Sequence, residues 1–492
     1  MTDFKPITNP SIQYTKIFIN NEWHNSVSGK KFPVINPSNE KVIADVAEGD
    51  KADIDKAVSA AREAFSRGSL WRQMDASARG VIINKLADLM DKNVNELASI
   101  QSVENGKPFS NSVDEVIRSA KLLRYFAGCA DKIHGSTLPA DGDVFAMTRK
   151  EPVGVVGSII PWNYPITMVG MKIGPALATG CTMVMKPAEQ TPLTALYIAN
   201  LAKEAGLPKG VLNVVPGYGI TAGSALAEHP DVNKIAFTGS VNIGRKIIEA
   251  SAKSNLKRVT LELGGKSPLV VFEDADLELA ATYTSLAFLN AGQICLAPTR
   301  VYVQSGVYDK FVDMIVKRAT NLKVGGPFET DSFYGSQIDD RIFKRVMSYI
   351  ELGKKEGAKL ETGGHRHGKL GFFVQPTVFS NVKDSMTIAK EEIFGPVQSL
   401  LKFDTLEEVI ARANNTTYGL VAGVFTKNID QALEFSKAVE AGTVWVNQWF
   451  NLSAQTPFGG YKQSGIGREI GIDSLDHYME VKTINIKLPT NH

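Results

Sequence analysis

The sequence predicts an α/β protein with two mainly parallel sheets, because short Val- and Ile-rich runs alternate with apolar-periodic helical stretches in two separate series. VGVVGSII, CTMVMKPA, GVLNVVPG and KIAFTGS are separated by ITMVGMKIGPALATG, PLTALYIANLAKEAG and ITAGSALAEH. A strand that must return parallel to its predecessor needs such a crossover helix, and helices then cover both faces of the sheet. The second series begins after the turn LELGGKSP, with SPLVVFED, a helix around Leu279 to Leu289, RVYVQSG, and a helix near Val307 to Leu322. The two units are therefore expected to meet near Gly264 and Gly265. A length of 492 residues fits this, since one domain usually takes ~100–200.

Before Val153 the pattern is partly helical. Ile54, Val58, Ala61 and Phe65 recur at helical spacing within Asp53 to Gly68, and a charged helical pattern runs from Ser77 to Asn105. The tail HYMEVKTINIKLP ends in strand-like alternation, which suits pairing with another sheet edge, and it is read as an oligomerisation element.

Composition excludes several classes. With 43% hydrophobic and 22% charged residues the chain is globular in type, and 54 basic against 52 acidic residues leave +2, no electrostatic reason for nucleic acid or anionic membrane as partner. The opening MTDFKPITNP lacks the pattern of a secretory or transit leader, and no apolar stretch approaches the roughly 20 residues of a membrane span. Three widely spaced cysteines, Cys129, Cys181 and Cys295, suit neither a disulfide framework nor a zinc site, so a cytoplasmic location is expected. The close pair His365 and His367 lies in the turn GGHRHGKLG with no third ligand, so no metal is expected.

Chemistry concentrates in a few motifs. Cys295 in NAGQICLAPT follows an apolar helix and a polar turn at Gly292 and Gln293, so it could begin the next element with a thiolate facing backbone N–H groups, whereas Cys129 and Cys181 are read as core. Glu262 in VTLELGG ends an apolar strand, where desolvation raises a carboxyl pKa toward that of a general base near neutrality. Asn163 in IIPWNYP sits between two prolines, which can aim its amide rigidly. Gly219 and Gly223 in GYGITAG give a weak dinucleotide-loop signal. FTGSVNIG is stronger, for Phe237, Gly239 and Ser240 lead from a strand into a helix carrying Ile243 and Gly244, whose N-terminus suits a pyrophosphate. Lys186 and Glu189 in MKPAEQTP, at another strand end, suit ribose hydroxyls.

IIPWNYP, MKPAEQTP, FTGSVNIG, LELGGKSP, GQIC, EEIFGPV, WVNQW and PFGGYKQSGIGRE together resemble the aldehyde dehydrogenase superfamily in order and spacing along nearly the whole chain, and most of all its animal cytosolic and mitochondrial aldehyde and retinal dehydrogenases. The resemblance implies a Rossmann-like NAD-binding domain (1–129 and 153–263), an α/β catalytic domain (264–463) and a small β oligomerisation element (130–152 and 478–492). It also implies a homotetramer built as a dimer of dimers. It makes Cys295 the nucleophile, Glu262 the general base and Asn163 the oxyanion donor, with Glu469 a second acidic relay. NAD would be held by Ile160, Pro161, Trp162, Lys186, Glu189, Gly219, Gly223, Phe237, Gly239, Ser240, Ile243, Gly244, Leu263, Arg345, Glu392 and Phe394. Ile342 and Arg345 stand where close relatives carry Gln and Lys, and Ser336 where the family has Pro. The substrate tunnel would be formed by Tyr164, Thr167, Met168, Met171, Leu289, Ile294, Leu296, Trp449, Phe450, Asn451, Leu452 and Phe458, mostly apolar, which suits a medium to large apolar aldehyde of fatty, isoprenoid or retinoid type. Glu262 favours hydrolysis of the acyl group over its transfer to CoA or phosphate. A crystallin-like structural or binding role is the alternative from a different class.

Overall fold

The computed structural model describes residues 4–489; residues 1–3 and 490–492, the outer ends of the expected segments 1–129 and 478–492, lie outside it. The first sheet has eight strands in the order Gly465–Ile466, Arg258–Glu262, Lys234–Thr238, Val155–Ile159, Thr182–Lys186, Leu212–Val214, Ile17–Ile19 and Glu22–His24. Its five central strands are parallel, and its outer strands pair antiparallel. Val155–Ile159 is wholly buried, as the unbroken apolar run requires when helices cover both faces.

The second sheet runs Lys359–Thr362, Thr377–Ser380, Val397–Phe403, Arg300–Gln304, Pro268–Val271, Val421–Phe425 and Thr443–Val446, parallel except for its first pair. The change of sheet falls between Glu262 and Pro268, at the expected place. Met479–Lys487 pairs antiparallel with Val144–Pro152, which also pairs with Thr137–Leu138, forming a third small sheet. The tail is the strand that its alternation predicts.

Several expectations need correction. The N-terminal region opens with two hairpins, Ile17–Ile19 with Glu22–His24 and Lys31–Ile35 with Val42–Ala47, before its first helix, Lys51–Phe65. The pattern from Ser77 to Asn105 is two helices, Ala76–Lys92 and Val94–Asn105, because Asn93 leaves the helical conformation and caps the first. ITAGSALAEH folds as one π-turn, Gly219–Gly223, followed by the short helix Ser224–Glu228. The helix expected to reach Leu289 ends at Thr284 and gives way to 3-10 turns.

Candidate active site

In the first sheet the chain steps from Val155–Ile159 to Thr182–Lys186 and Leu212–Val214 on one side, then crosses back to Lys234–Thr238 and Arg258–Glu262 on the other. Such a switch point opens a crevice at the carboxyl ends of the strands. A cleft of about 860 Å3 lies there. Ile160, Pro161, Trp162 and Asn163 line it from the loop after Val155–Ile159, Lys186 and Glu189 from the end of Thr182–Lys186, Phe237, Gly239, Ser240 and Ile243 from that of Lys234–Thr238, and Glu262 and Leu263 from that of Arg258–Glu262. Gly219 and Gly223 close one end, and Cys295, Arg345, Glu392 and Phe394 face the sheet from the second unit.

Gly244 is the exception among the expected cofactor residues. It does not line the cleft but faces the sheet, where an added Cβ would fall 2.9 Å from the Leu263 side chain. Its role is to let the helix Val241–Lys253 approach the strand end. Ser240 caps that helix without a side-chain bond to its first turn, and the buried Thr238 hydroxyl has no partner, which leaves polar groups turned to the cleft. The Lys186 ammonium donates to the Pro187 and Gly217 carbonyls at 2.7 and 2.8 Å and lies 3.6 Å from the Glu189 carboxylate.

At the inner end, the Glu262 carboxyl is buried, and one of its oxygens lacks a hydrogen-bond partner. Desolvation pushes its pKa up to about 8, opposed by the Cys295 thiol hydrogen bond and by the Lys172 charge. Burial and the neighbouring Glu262 likewise hold the Cys295 thiol well above its ordinary value, so the resting group is a thiol. The burial that raises the carboxyl thus also keeps the sulfur protonated. Cys295 does not start the expected regular element: it lies in a turn, with the Leu296 N–H toward its sulfur, and the next strand begins at Arg300.

That turn is held by an unusual backbone run. Asn290, Ala291 and Gly292 have φ of 49°, 54° and 73°, and the first two are residues that adopt this region only at some cost. A Cβ on Gly292 would sit 2.0 Å from the Gly395 carbonyl, so only glycine fits. Gln293 fixes the run by donating to the Asn290 and Ser336 carbonyls and accepting from the Ile338 N–H. Asn163 donates from Nδ2 to the Gln293 carbonyl at 3.0 Å, which joins the amide to the nucleophile's turn.

Glu392 accepts from the Gly265 N–H at 3.0 Å, and burial raises its pKa to about 7 against the Arg345 and Lys266 charges. Arg345 donates to the Glu392 carbonyl at 2.7 Å. Phe394 takes a φ of 61° and meets the Trp162 ring edge-on at 5.4 Å.

The expected tunnel residues do not line the cleft. Met168, Met171, Ile294, Leu296, Trp449 and Phe458 are buried in one apolar cluster, and Tyr164, Leu289, Phe450, Leu452 and Cys295 pack on it partly covered. That cluster is the main core, and Cys295 packs against it; Asn451 is exposed and Thr167 half-buried. Lys172, missed in the sequence, forms a fully buried ion pair with Glu469 at 2.5 Å, and both charges act on Glu262. Its signal was a single charge inside the apolar helix Pro165–Thr179. Lys107 and Glu115 beneath Asn163 gave no such signal. Cys129 and Cys181 are buried as expected, and among the described residues no cluster of three metal-ligating side chains occurs. No helix among those residues is long and apolar enough to cross a membrane.

A thiol, a carboxyl with a raised pKa and an amide thus line one crevice whose volume suits a dinucleotide. The chain belongs to the aldehyde dehydrogenase family, whose profile it matches over residues 23–484. It is an oxidoreductase that oxidises aldehydes. Among individual proteins it is similar to Aldehyde dehydrogenase 1A1 of Rattus norvegicus, 59% identical over 98% of this chain and 97% of that one. The mitochondrial aldehyde dehydrogenase of Homo sapiens is 57% identical over 98% and 94%. The NAD+ complex of an aldehyde dehydrogenase from Bacillus cereus superposes with a TM-score of 0.95 at 49% identity, covering 97% of each chain.

Proposed function

We propose that this chain oxidises an apolar aldehyde to its carboxylate, with NAD+ as hydride acceptor, through a thioester on Cys295. The observation that carries the reading is the convergence of Cys295, Glu262 and Asn163 at one end of the cleft. Cleft volume, the open helix N-terminus at Ser240 and the unpartnered Thr238 hydroxyl fit a dinucleotide, with Lys186 and Glu189 at its adenosine ribose and Glu392 and Phe394 at the other end. When bound, the cofactor supplies a hydride acceptor. Glu262 takes the thiol proton, the sulfur bonds to the carbonyl carbon, and the Asn163 amide and the Cys295 N–H hold the oxyanion. Loss of hydride from that carbon leaves the thioester. Glu262 passes the thiol proton to solvent and, a carboxylate again, deprotonates water as it adds to the acyl carbon; collapse expels the sulfur, which takes the proton back from Glu262, and releases the carboxylic acid.

The reading extends to organisation. Residues 1–129 and 153–263 serve the cofactor, 264–463 the chemistry, and 130–152 with 478–492 association into a homotetramer. Val481, Ile486 and Phe145 on the small sheet are exposed apolar side chains, which supports a partner there. Light scattering should give about four times the 53.4 kDa chain mass, and a monomer mass would refute the assembly. A cytoplasmic location accords with a cytosolic relative of Rattus norvegicus.

Glu189 turns a carboxylate toward the adenosine end, while the Lys186 ammonium is engaged by two carbonyls, so a 2′-phosphate meets like charge there. kcat/KM should favour NAD+ over NADP+ by about tenfold or more. Equal values would reject this assignment of Glu189.

The apolar cluster behind Cys295 supports a substrate with a long chain. Each methylene it shelters contributes up to ~0.8 kcal/mol, so KM should fall several-fold over a few added carbons in the series from propanal to decanal. A flat or rising series, read by NADH absorbance, would mean that Trp449 and Phe450 close the approach. Absence of NADH formation with every aldehyde would instead favour the crystallin-like role.

A further inference from the structure

Asn163 lies in the irregular stretch between the strand Val155–Ile159 and the helix Pro165–Thr179, where no ladder of backbone bonds fixes it. The helix also lacks a side-chain cap from its own first residues. Side chains packed against this stretch take over both tasks, among them the Asn290 amide, which donates to the Asn163 carbonyl at 3.0 Å. Lys107 donates to the Asn163 carbonyl at 2.9 Å and to the Glu115 carboxylate at 2.6 Å, and its ammonium lies 4.1 Å from the centre of the Tyr164 ring. Glu115 accepts the Thr167 N–H at 3.0 Å and the Gln101 amide at 2.8 Å, and Gln101 in turn accepts the Ile166 N–H at 3.3 Å. Asn105 donates to the Trp162 carbonyl at 2.7 Å.

The Lys107 and Glu115 side chains are 1% and 3% exposed, and neither lines the cleft. Burying an ion pair is weak ground for stability, because an apolar pair of similar volume often serves as well. What this pair does that an apolar pair could not is grip two backbone groups, the Asn163 carbonyl and the Thr167 N–H.

We propose that Lys107 and Glu115 are a positioning pair for the Asn163 amide, setting where it meets the oxyanion in the reaction proposed above, on which this inference rests. They touch neither substrate nor cofactor. Their effect reaches the chemistry only through Asn163.

A double-mutant cycle tests this with Lys107→Met, Asn163→Ala and the combined variant, reading the single-turnover rate of hydride transfer and NADH affinity. Lys107→Met should slow hydride transfer by about 10–100-fold, the scale of a misplaced catalytic group, with NADH affinity unchanged. In the Asn163→Ala background the same substitution should cost less than about threefold, because the group that it positions is gone. Lys107→Arg, which keeps the charge, should recover part of the loss. An undiminished cost in the Asn163→Ala background, or no cost in the wild type, overturns the positioning role. If Asn163→Ala itself leaves hydride transfer unchanged, the oxyanion assignment fails, and the positioning role falls with it. Should Lys107→Met not fold, Glu115→Gln keeps the volume and the bond from Thr167, and must show the same dependence on Asn163.

Discussion

Replacing Cys295 with Ala should lower aldehyde-dependent turnover by about 10^4-fold or more while leaving dinucleotide binding intact. The loss is large because the sulfur forms the covalent bond through which both halves of the reaction pass, and no other described cysteine is near: Cys129 and Cys181 are buried elsewhere in the core. Binding survives because Lys186, Glu189, Ser240 and the other groups at the far end of the cleft are untouched by the substitution. NADH formation and NADH fluorescence titration read the two effects separately. Turnover above about one hundredth of wild type would remove Cys295 from the mechanism.

The second large effect belongs to Glu262. Glu262→Gln should slow steady turnover by about 10^2–10^4-fold, the usual worth of a positioned base, and should slow a rapid first burst of NADH less. Deacylation needs the base to deprotonate water after the hydride has left, so acyl enzyme accumulates in the variant. The carboxylate is the working form, and desolvation holds its pKa at about 8. Wild-type activity should therefore rise with pH through about 8, and the rise should vanish from the Gln variant's profile. Equal loss in burst and steady phases would assign Glu262 chiefly to thiol activation.

How far the sequence spoke depended on the length of the local pattern. Strands of five residues between helices of 12 to 15 were legible from their apolar runs, and with them the strand ends that carry Asn163, Lys186 and Glu262. Ile17–Ile19 and Glu22–His24 were not, since three residues show no period and the hairpin they form joins the sheet only through the distant pairing of Phe18 with Val214. The turn Asn290–Gly292 was hidden because Ala291 carries no hint of a positive φ; tertiary contacts impose it. Gly244 was ambiguous for a related reason: a glycine near a helix start serves a ligand or a neighbouring strand equally well, and the close approach the structure shows is to Leu263. Apolar composition grouped the residues behind Cys295 but could not tell an open passage from a packed wall.

The outermost strand of the first sheet, Gly465–Ile466, pairs Gly465 with Glu262 and Ile466 with Leu261, while the Ser464 hydroxyl donates to the Gly264 carbonyl and its own carbonyl accepts the Leu263 N–H. During synthesis those residues leave the ribosome about two hundred positions after the strand they complete, which at roughly 5–20 residues per second is a delay of tens of seconds. Until then the strand that ends in Glu262 has an unpaired edge, and less of the desolvation that raises its pKa is in place. The covering of Glu262 is thus completed late in translation, and a chain that stops between residues 295 and 464 keeps the Cys295 thiol but lacks the strand that closes over that carboxyl.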